Sequence, residues 1–189
     1  MKFCSACGSA DLAFRVPAGD TLPRHVCEAC ATIHYQNPKV VTGCLPEWDD
    51  RVLLCKRAIE PRRGLWTLPA GFLENSETLQ AGAMRETLEE AGARVTLGAL
   101  YVVISLPQIS QVYAMFRARL PEPEFSAGTE SLEVRLFDEA EIPWDQIAFR
   151  TIGRTLRRYF LDRRLGSFGL HVSAIERRPP LAPDLLAAG

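Results

Sequence analysis

Two sets of side chains in this sequence have the spacing of metal ligands. Cys4-x-x-Cys7 and Cys27-x-x-Cys30 form a C-x₂-C-x₁₉-C-x₂-C pattern, which can set four thiolates tetrahedrally around Zn²⁺ at about 2.3 Å. Four sulfurs leave no position open for water, so such a site is structural. By analogy with zinc-finger peptides, the metal would contribute on the order of 10 kcal/mol to folding the segment around it. A redox dithiol and unliganded thiols are the alternatives. The second set is oxygen. If residues 77–91 form a helix, Glu86, Glu89 and Glu90 fall within roughly a 100° arc, with Ala83, Met84, Thr87, Leu88 and Ala91 as an apolar stripe on another side. Like charges at i, i+3 and i+4 repel by about a few tenths of a kcal/mol per pair, so this face calls for counter-charge. Oxygen-only ligands suit Mg²⁺ or Mn²⁺, which keep waters and bridge to substrate phosphates. Arg85 can pair with Glu77. Taken alone, the three glutamates also fit a solvated helix face, since Glu is a good helix former.

The elements that must position these groups follow from periodicity and punctuation. Residues 1–36 carry both cysteine pairs around Pro17, Gly19 and Pro23 with few core formers, so this unit could not fold on apolar burial alone. Asn37-Pro38 marks a boundary, because the residue before proline is pushed out of the helical region. Short apolar or β-branched runs at 39–45, 51–57, 94–105, 111–118 and 132–137 predict strands. Residues 77–91 and 145–164 have helical spacing, the first with Ser76 as N-cap, Glu77 in its first turn and Gly92 past its end. Strands flanking a helix, then strands followed by a helix, argue for an α/β sandwich with a mixed sheet. The expected organisation is a small cysteine unit at 1–36, a larger α/β domain at 37–165 and a peripheral tail at 166–189. Cys44 and Cys55, within predicted strands, read as small core residues, and His171 reads as an exposed residue of the tail.

The 189 residues are 47% hydrophobic and 24% charged, with a net charge of −1. That is the composition of a globular protein without a global cationic field, so a polyanion would need a local patch. The concentrated basic run is Arg154, Arg157, Arg158, Arg163 and Arg164, which a solvated helix face explains. There is no apolar run of membrane-spanning length and no apolar leader at Met1. The expectation is a cytoplasmic protein with no membrane contact, in which a nucleic-acid partner is disfavoured and a small anionic substrate stays open because a bound divalent cation can supply positive charge.

The stretch Gly71-x₅-Glu77-x₇-Arg85-Glu86-Thr87-Leu88-Glu89-Glu90-Ala91-Gly92-Ala93 resembles the Nudix signature at every fixed position. Thr87 and Ala93 are smaller than the bulky apolar residues usual at their positions. The lead-in Gly64-Leu-Trp-Thr-Leu-Pro-Ala-Gly71 is similar too. This resemblance implies an α/β/α sandwich in which the signature forms a loop-helix-loop at the edge of the substrate cleft, and a metal-dependent hydrolysis of a diphosphate bond. It implies Glu86, Glu89 and Glu90 as ligands of Mg²⁺ or Mn²⁺, Glu77 in support, and Glu130 as a further acidic ligand from the loop before the strand at 132–137. Glu89, Glu90 and Glu130 are the candidates to take the proton of the attacking water, although Glu130 also reads as a surface carboxylate. Gly71 would bring the loop beneath the diphosphate, or is a simple turn glycine. Arg57, Trp66 and Phe149 could contact phosphate or stack on a base, or belong to the core.

A cysteine unit before such a domain is similar to two groups, the NADH pyrophosphatases and a shorter set of plant-type FAD and ADP-ribose pyrophosphatases. Resemblance to the second spans about residues 1–160 and rests on Arg24-His-Val-Cys-Glu-x-Cys30, Tyr35-x-Asn-Pro-Lys39, Val52-Leu-Leu-Cys-Lys-Arg57, the Trp66 segment and Glu130-Ser-Leu-Glu133. The NADH group carries Ser-Gln-Pro-Trp-Pro-Phe-Pro-x-Ser where this chain reads Ser105-Leu-Pro-Gln-Ile-Ser-Gln-Val-Tyr113. The favoured substrates are therefore ADP-ribose or FAD, cleaved to two monophosphates, with homodimerisation expected by the same resemblance. The alternatives are an NADH or NAD-cap pyrophosphatase, and a ligand sensor with a nucleic-acid-binding zinc ribbon.

Overall fold

The computed structural model describes residues 1–176, and the chain divides into two compact units at Pro38–Lys39. In the first unit, strands β1 (Leu12–Arg15), β2 (Arg24–Cys27) and β3 (Ile33–His34) form an antiparallel sheet in the order β1-β2-β3. Cys4, Val26 and Cys27 are buried, whereas Phe3, Phe14, Val16, Leu22 and Tyr35 stand exposed. Apolar burial of this extent cannot offset the conformational entropy of nearly forty residues, so the unit depends on its cysteines.

The second unit contains β4 (Lys39–Trp48), β5 (Arg51–Arg57), β6 (Trp66–Thr67), β7 (Ala70–Phe72), α1 (Leu79–Ala91), β8 (Thr96–Leu106), β9 (Gln111–Arg119), β10 (Ser131–Phe137), α2 (Arg150–Leu165) and β11 (His171–Ala174). The sheet order is β10-β5-β4-β9-β8-β11, with β6 added on β5 and β7 on β4. β4 runs parallel to β9 and β11 parallel to β8, and the other pairs are antiparallel. The mixed sheet expected from the sequence is thus present.

Alternation along the strands separates two cores. Val41 and Leu45 of β4 and Tyr113 and Met115 of β9 join Ile152, Leu156, Tyr159 and Phe160 of α2. Their neighbours point the other way: Phe116 and Ala118 of β9 cluster with Cys44 and Ala83 under α1. The Thr42 hydroxyl donates to the Leu79 carbonyl, and the Cys44 thiol to that of Ala83. Helices therefore cover both faces, giving the α/β/α sandwich. Cys44 and Cys55 are core residues, and burial pushes both thiols up, Cys44 to about 11.

Several expectations need correction. The Thr78 hydroxyl, and not Ser76, caps α1 by accepting from the Ala81 N–H, so Glu77 precedes the helix. Met84 and Leu88 are exposed, while Gly82, Ala83, Thr87, Glu90 and Ala91 are buried. The inward face is turned roughly 70° from the apolar stripe read in the sequence, because the small Gly82 and Ala83 let the helix lie close on β4. α2 begins at Arg150, after a 3₁₀ turn at Trp144–Gln146. The segment expected as a peripheral tail adds an edge strand at His171–Ala174 and buries Ile175. His171 is half-buried there, its Nε2 2.5 Å from Asp162 Oδ2. Residues 177–189 of the expected tail lie outside the described residues.

Candidate functional site

In the first unit the loops preceding β1 and following β2 bring the cysteine pairs together. All four sulfurs lie within 4.8 Å of one another, with Cys4–Cys30 at 3.7 Å and Cys7–Cys27 at 3.6 Å. A tetrahedron with 2.3 Å metal–sulfur bonds has edges of about 3.8 Å, so the donor set has the dimensions of a closed metal site. His34 is buried beside it with Nε2 3.3 Å from Cys4 Sγ, suited to support that sulfur. The Thr32 hydroxyl, then its backbone N–H, draws the Cys30 thiol down to about 6, while against the pull of the Ser9 backbone hydrogen bonds from Cys30 and Cys27 push Cys7 up, so the clustered thiols share protons that a metal would displace.

In the second unit the carboxylates of α1 grade from core to solvent around the helix. Glu90 is 6% exposed, the Glu86 side chain 12% and the Glu89 side chain 58%. Their arc straddles the boundary of the buried face, so each successive position turns further into water. Glu90 and Glu86 both converge on the backbone of β7. The Ala70 N–H donates to Glu90 Oε2 at 3.1 Å, and a Cβ added at Gly71 would lie 2.3 Å from Glu86 Oε1. Glycine at 71 therefore serves close approach to the Glu86 carboxylate rather than a turn, since its backbone φ is not in the left-handed region.

Burial first, then the charge of neighbouring Glu86, pushes the Glu90 carboxyl up to about 8, against the downward pull of the Ala70 N–H. Burial also raises Glu86. Arg85 supplies local positive charge. Its guanidinium donates to Glu77 at 2.9 and 3.0 Å, to Glu86 at 2.7 Å and to Glu89 at 3.0 Å. The Arg85–Glu77 pair anticipated from the sequence forms and holds Glu77 below its usual range, but Arg85 also lies among the carboxylates. Glu77 in turn accepts from the Glu74 N–H at 3.1 Å, tying the loop before α1 to the helix.

Glu130 reaches this cluster through a loop whose role sequence reasoning missed. The Ser126 N–H donates to the Ala91 carbonyl and the Gly128 N–H to that of Glu90, so the loop closes the C-terminal end of α1. A Cβ at Gly128 would lie 1.7 Å from the Glu89 carbonyl oxygen, leaving room for glycine alone. The Glu130 carbonyl then accepts from the Ala58 N–H, and its exposed carboxylate adds to the negative field that raises Glu86 and Glu90. A glycine and a serine two to four residues before a candidate acid were the available signal.

The remaining site residues divide. Arg57 and Phe149 come together, the guanidinium 5.1 Å from the ring centroid, and Arg57 Nε donates to the Pro61 carbonyl. Trp66 is corrected: it is 5% exposed, stands edge-on to Phe137 at 4.8 Å within the core on the α2 side and offers no ring to a substrate. The residue alternation of the short strand β6 turns it inward, and that strand was not read from the sequence.

These geometries can be set beside known proteins. The family model described as the NUDIX domain matches residues 37–159, and the one described as Nudix N-terminal, a zinc ribbon, matches residues 2–36. The chain belongs to the Nudix hydrolase family. It is similar to the crystal structure of a Nudix hydrolase from Nitrosomonas europaea, with 61% identity, a TM-score of 0.90 and coverage of 94% of this chain and 100% of that one. Among curated relatives, an ADP-ribose pyrophosphatase of Methanocaldococcus jannaschii is 31% identical over 58% of this chain and 67% of its own. An NAD-capped RNA hydrolase of Photobacterium profundum is 35% identical over 50% of this chain, an alignment that spans 33% of the relative's length. The carboxylate helix thus lies in the matched Nudix domain and the cysteine cluster in the matched ribbon. Among the described residues, no helix is long and apolar enough to cross a membrane.

Proposed function

We propose that this Nudix chain hydrolyses the diphosphate bond of a nucleoside diphosphate derivative, ADP-ribose or FAD in preference, to two monophosphates. The observation that carries the reading is the convergence of Glu86 and Glu90 on the Ala70–Gly71 backbone, with Glu130 brought in by the loop that closes α1. A carboxylate as buried as Glu90 needs a cation to stay ionised at neutral pH, and an all-oxygen donor set is that of Mg²⁺ or Mn²⁺. Bound there, the metal would neutralise the diphosphate, lower the pKa of a water and stabilise charge developing at phosphorus. Glu86, Glu89, Glu90 and Glu130 are the residues to hold it. Arg85 positions Glu77, Glu86 and Glu89, while Arg57, packed on Phe149 and close enough to pull the Glu90 carboxyl down, is the cation without a carboxylate partner among the described residues that can meet the substrate's phosphates. Glu89 and Glu130 are the solvent-facing acids that can accept a proton and pass it to bulk water, and Glu90 can do so only from within. The four cysteines hold Zn²⁺ as a structural ion.

The name of the Methanocaldococcus relative supports ADP-ribose, and that of the Photobacterium relative keeps an NADH or NAD-cap substrate as the second reading. The test is product analysis with ADP-ribose, FAD and NADH, each with Mg²⁺ or Mn²⁺, for the wild type and Glu90→Gln. The proposal expects AMP from ADP-ribose or FAD at the highest rate and its loss in the variant. Preferential cleavage of NADH would move the assignment to the second reading, and absence of AMP from all three would overturn it.

A further inference from the structure

Helix α2 carries six arginines, and those toward its two ends differ in how far their charge is compensated. Arg163 and Arg164 are neutralised by Asp50 and Glu139, and Arg158 by Asp162. Arg150 and Arg157 have no carboxylate partner among the described residues, and neither has Arg62, from the loop joining β5 to β6. Arg154 donates to the neutral Ser173 hydroxyl and Ala174 carbonyl, so its charge is also uncompensated. These four line one open groove of about 730 Å³ with a single acid, Asp145, and an apolar floor that includes Trp144, Ile147 and Phe149. The Arg157 guanidinium lies over Trp144, 4.4 Å from its ring centroid. A second groove, of about 460 Å³, shares Arg154 and Arg158 and continues to His171. In a chain whose net charge is −1, this concentration of cations on one face is the local patch that a polyanion would need.

We infer that the groove lined by Arg62, Arg150, Arg154 and Arg157 beside Trp144 is a docking track for a single-stranded nucleic acid. A cationic groove whose guanidinium planes are backed by aromatic rings, as Arg157 is by Trp144, is an arrangement that follows a phosphodiester backbone while bases stack on the guanidinium planes. Guanidinium groups fit phosphate as a planar fork and stack on bases, which ammonium groups do not. Arg150, Arg154 and Arg158 follow one another at about 6 Å of helix rise, and the paired grooves extend beyond a single nucleotide. An acidic peptide would satisfy the charge without using the guanidinium plane that Arg157 holds over Trp144. The inference does not depend on the hydrolase reading, because an oligonucleotide with a free 5′-hydroxyl contains no diphosphate bond.

The test is fluorescence anisotropy of the full chain with a labelled single-stranded RNA of about twelve nucleotides, within the usual site size of such grooves, without added Mg²⁺ or Mn²⁺. Four phosphate contacts predict a slope of log affinity against log salt of about −3. Arg150→Glu with Arg157→Glu should weaken binding by about tenfold or more, and Arg150→Gln with Arg157→Gln by less. Arg163→Glu with Arg164→Glu makes the same change in net charge on the same helix outside the groove and should leave affinity within about twofold. The inference is overturned if the RNA fails to bind, if the two Glu pairs weaken it equally, or if polyglutamate of equal charge displaces it at the same concentration. Melting curves for each variant separate lost binding from lost folding, and the Gln pair serves if the Glu pair does not fold.

Discussion

Cys4, Cys7, Cys27 and Cys30 converge from two loops of a unit that buries little else, whereas Glu86, Glu89 and Glu90 stand on one helix that an extensive core already holds. In the first unit the ligands would be the cross-link through the proposed zinc, and without it the loops would lose their reason to meet. In the second, the sheet, the Ala70 N–H and the Arg85 network hold the carboxylates in place independently of any ion. A closed site therefore couples metal binding to folding, while an open site keeps the fold and adds the metal for chemistry. The same pair of units shows why spacing alone was sufficient for the cysteines but left the roles of the glutamates graded.

The sharpest way to break this comparison is at the cysteines. Cys27→Ser should abolish bound zinc, from about one equivalent per chain, and open residues 1–38 to proteolysis while residues 39–176 stay protected; metal analysis and limited digestion read both. If the first unit resists the protease with its zinc gone, its fold does not rest on the metal.

Glu86→Gln makes the opposite demand. Activity on the preferred dinucleotide should fall by on the order of 10²-fold or more, with a thermal midpoint close to that of the wild type, since the packing of α1 is untouched. A large loss of stability would show that the carboxylate is structural.

Gly71→Ala sharpens the point within the open site. The new Cβ meets the Glu86 carboxylate at 2.3 Å, the far end of a side chain that can swing aside. We expect roughly a tenfold loss of kcat with a higher Mg²⁺ requirement and little change in Tm; unchanged metal dependence would remove Gly71 from the site.

The smallest expected effect is a pH dependence. Unfolded, Glu90 titrates near its ordinary 4.5, and folded, near about 8. Between those values the folded chain holds a proton that the unfolded chain has released, so stability is full below pH 4.5, falls as pH rises toward 8 and is level above. The total is at most a few kcal/mol for one group. Protein dialysed without Mg²⁺ or Mn²⁺ should therefore melt lower at pH 8.5 than at pH 5.5, Mn²⁺ should recover part of the difference, and Glu90→Gln should flatten the profile. Equal slopes in wild type and variant would assign the effect to other groups.

The cysteine spacing, the Nudix signature with its three glutamates, the strands β4, β5, β8, β9 and β10, and the two helices were all legible in the sequence. They depend on local rules: ligand spacing, the twofold alternation of strands and the turn of a helix. What required tertiary structure was every feature set by a distant partner. The rotation of α1 that buries Glu90 and exposes Met84 and Leu88 comes from its fit against β4. The inward turn of Trp66 comes from the pairing of β6 with β5, and the edge strand at His171–Ala174 from its partner β8. The Glu130 charge is felt by Glu86 and Glu90 because residues 126–128 satisfy carbonyls left open at the end of α1. Residue type and spacing determined which groups could bind a metal. How deeply each is buried, and therefore which proton it holds, was decided by surfaces that meet only in the folded chain.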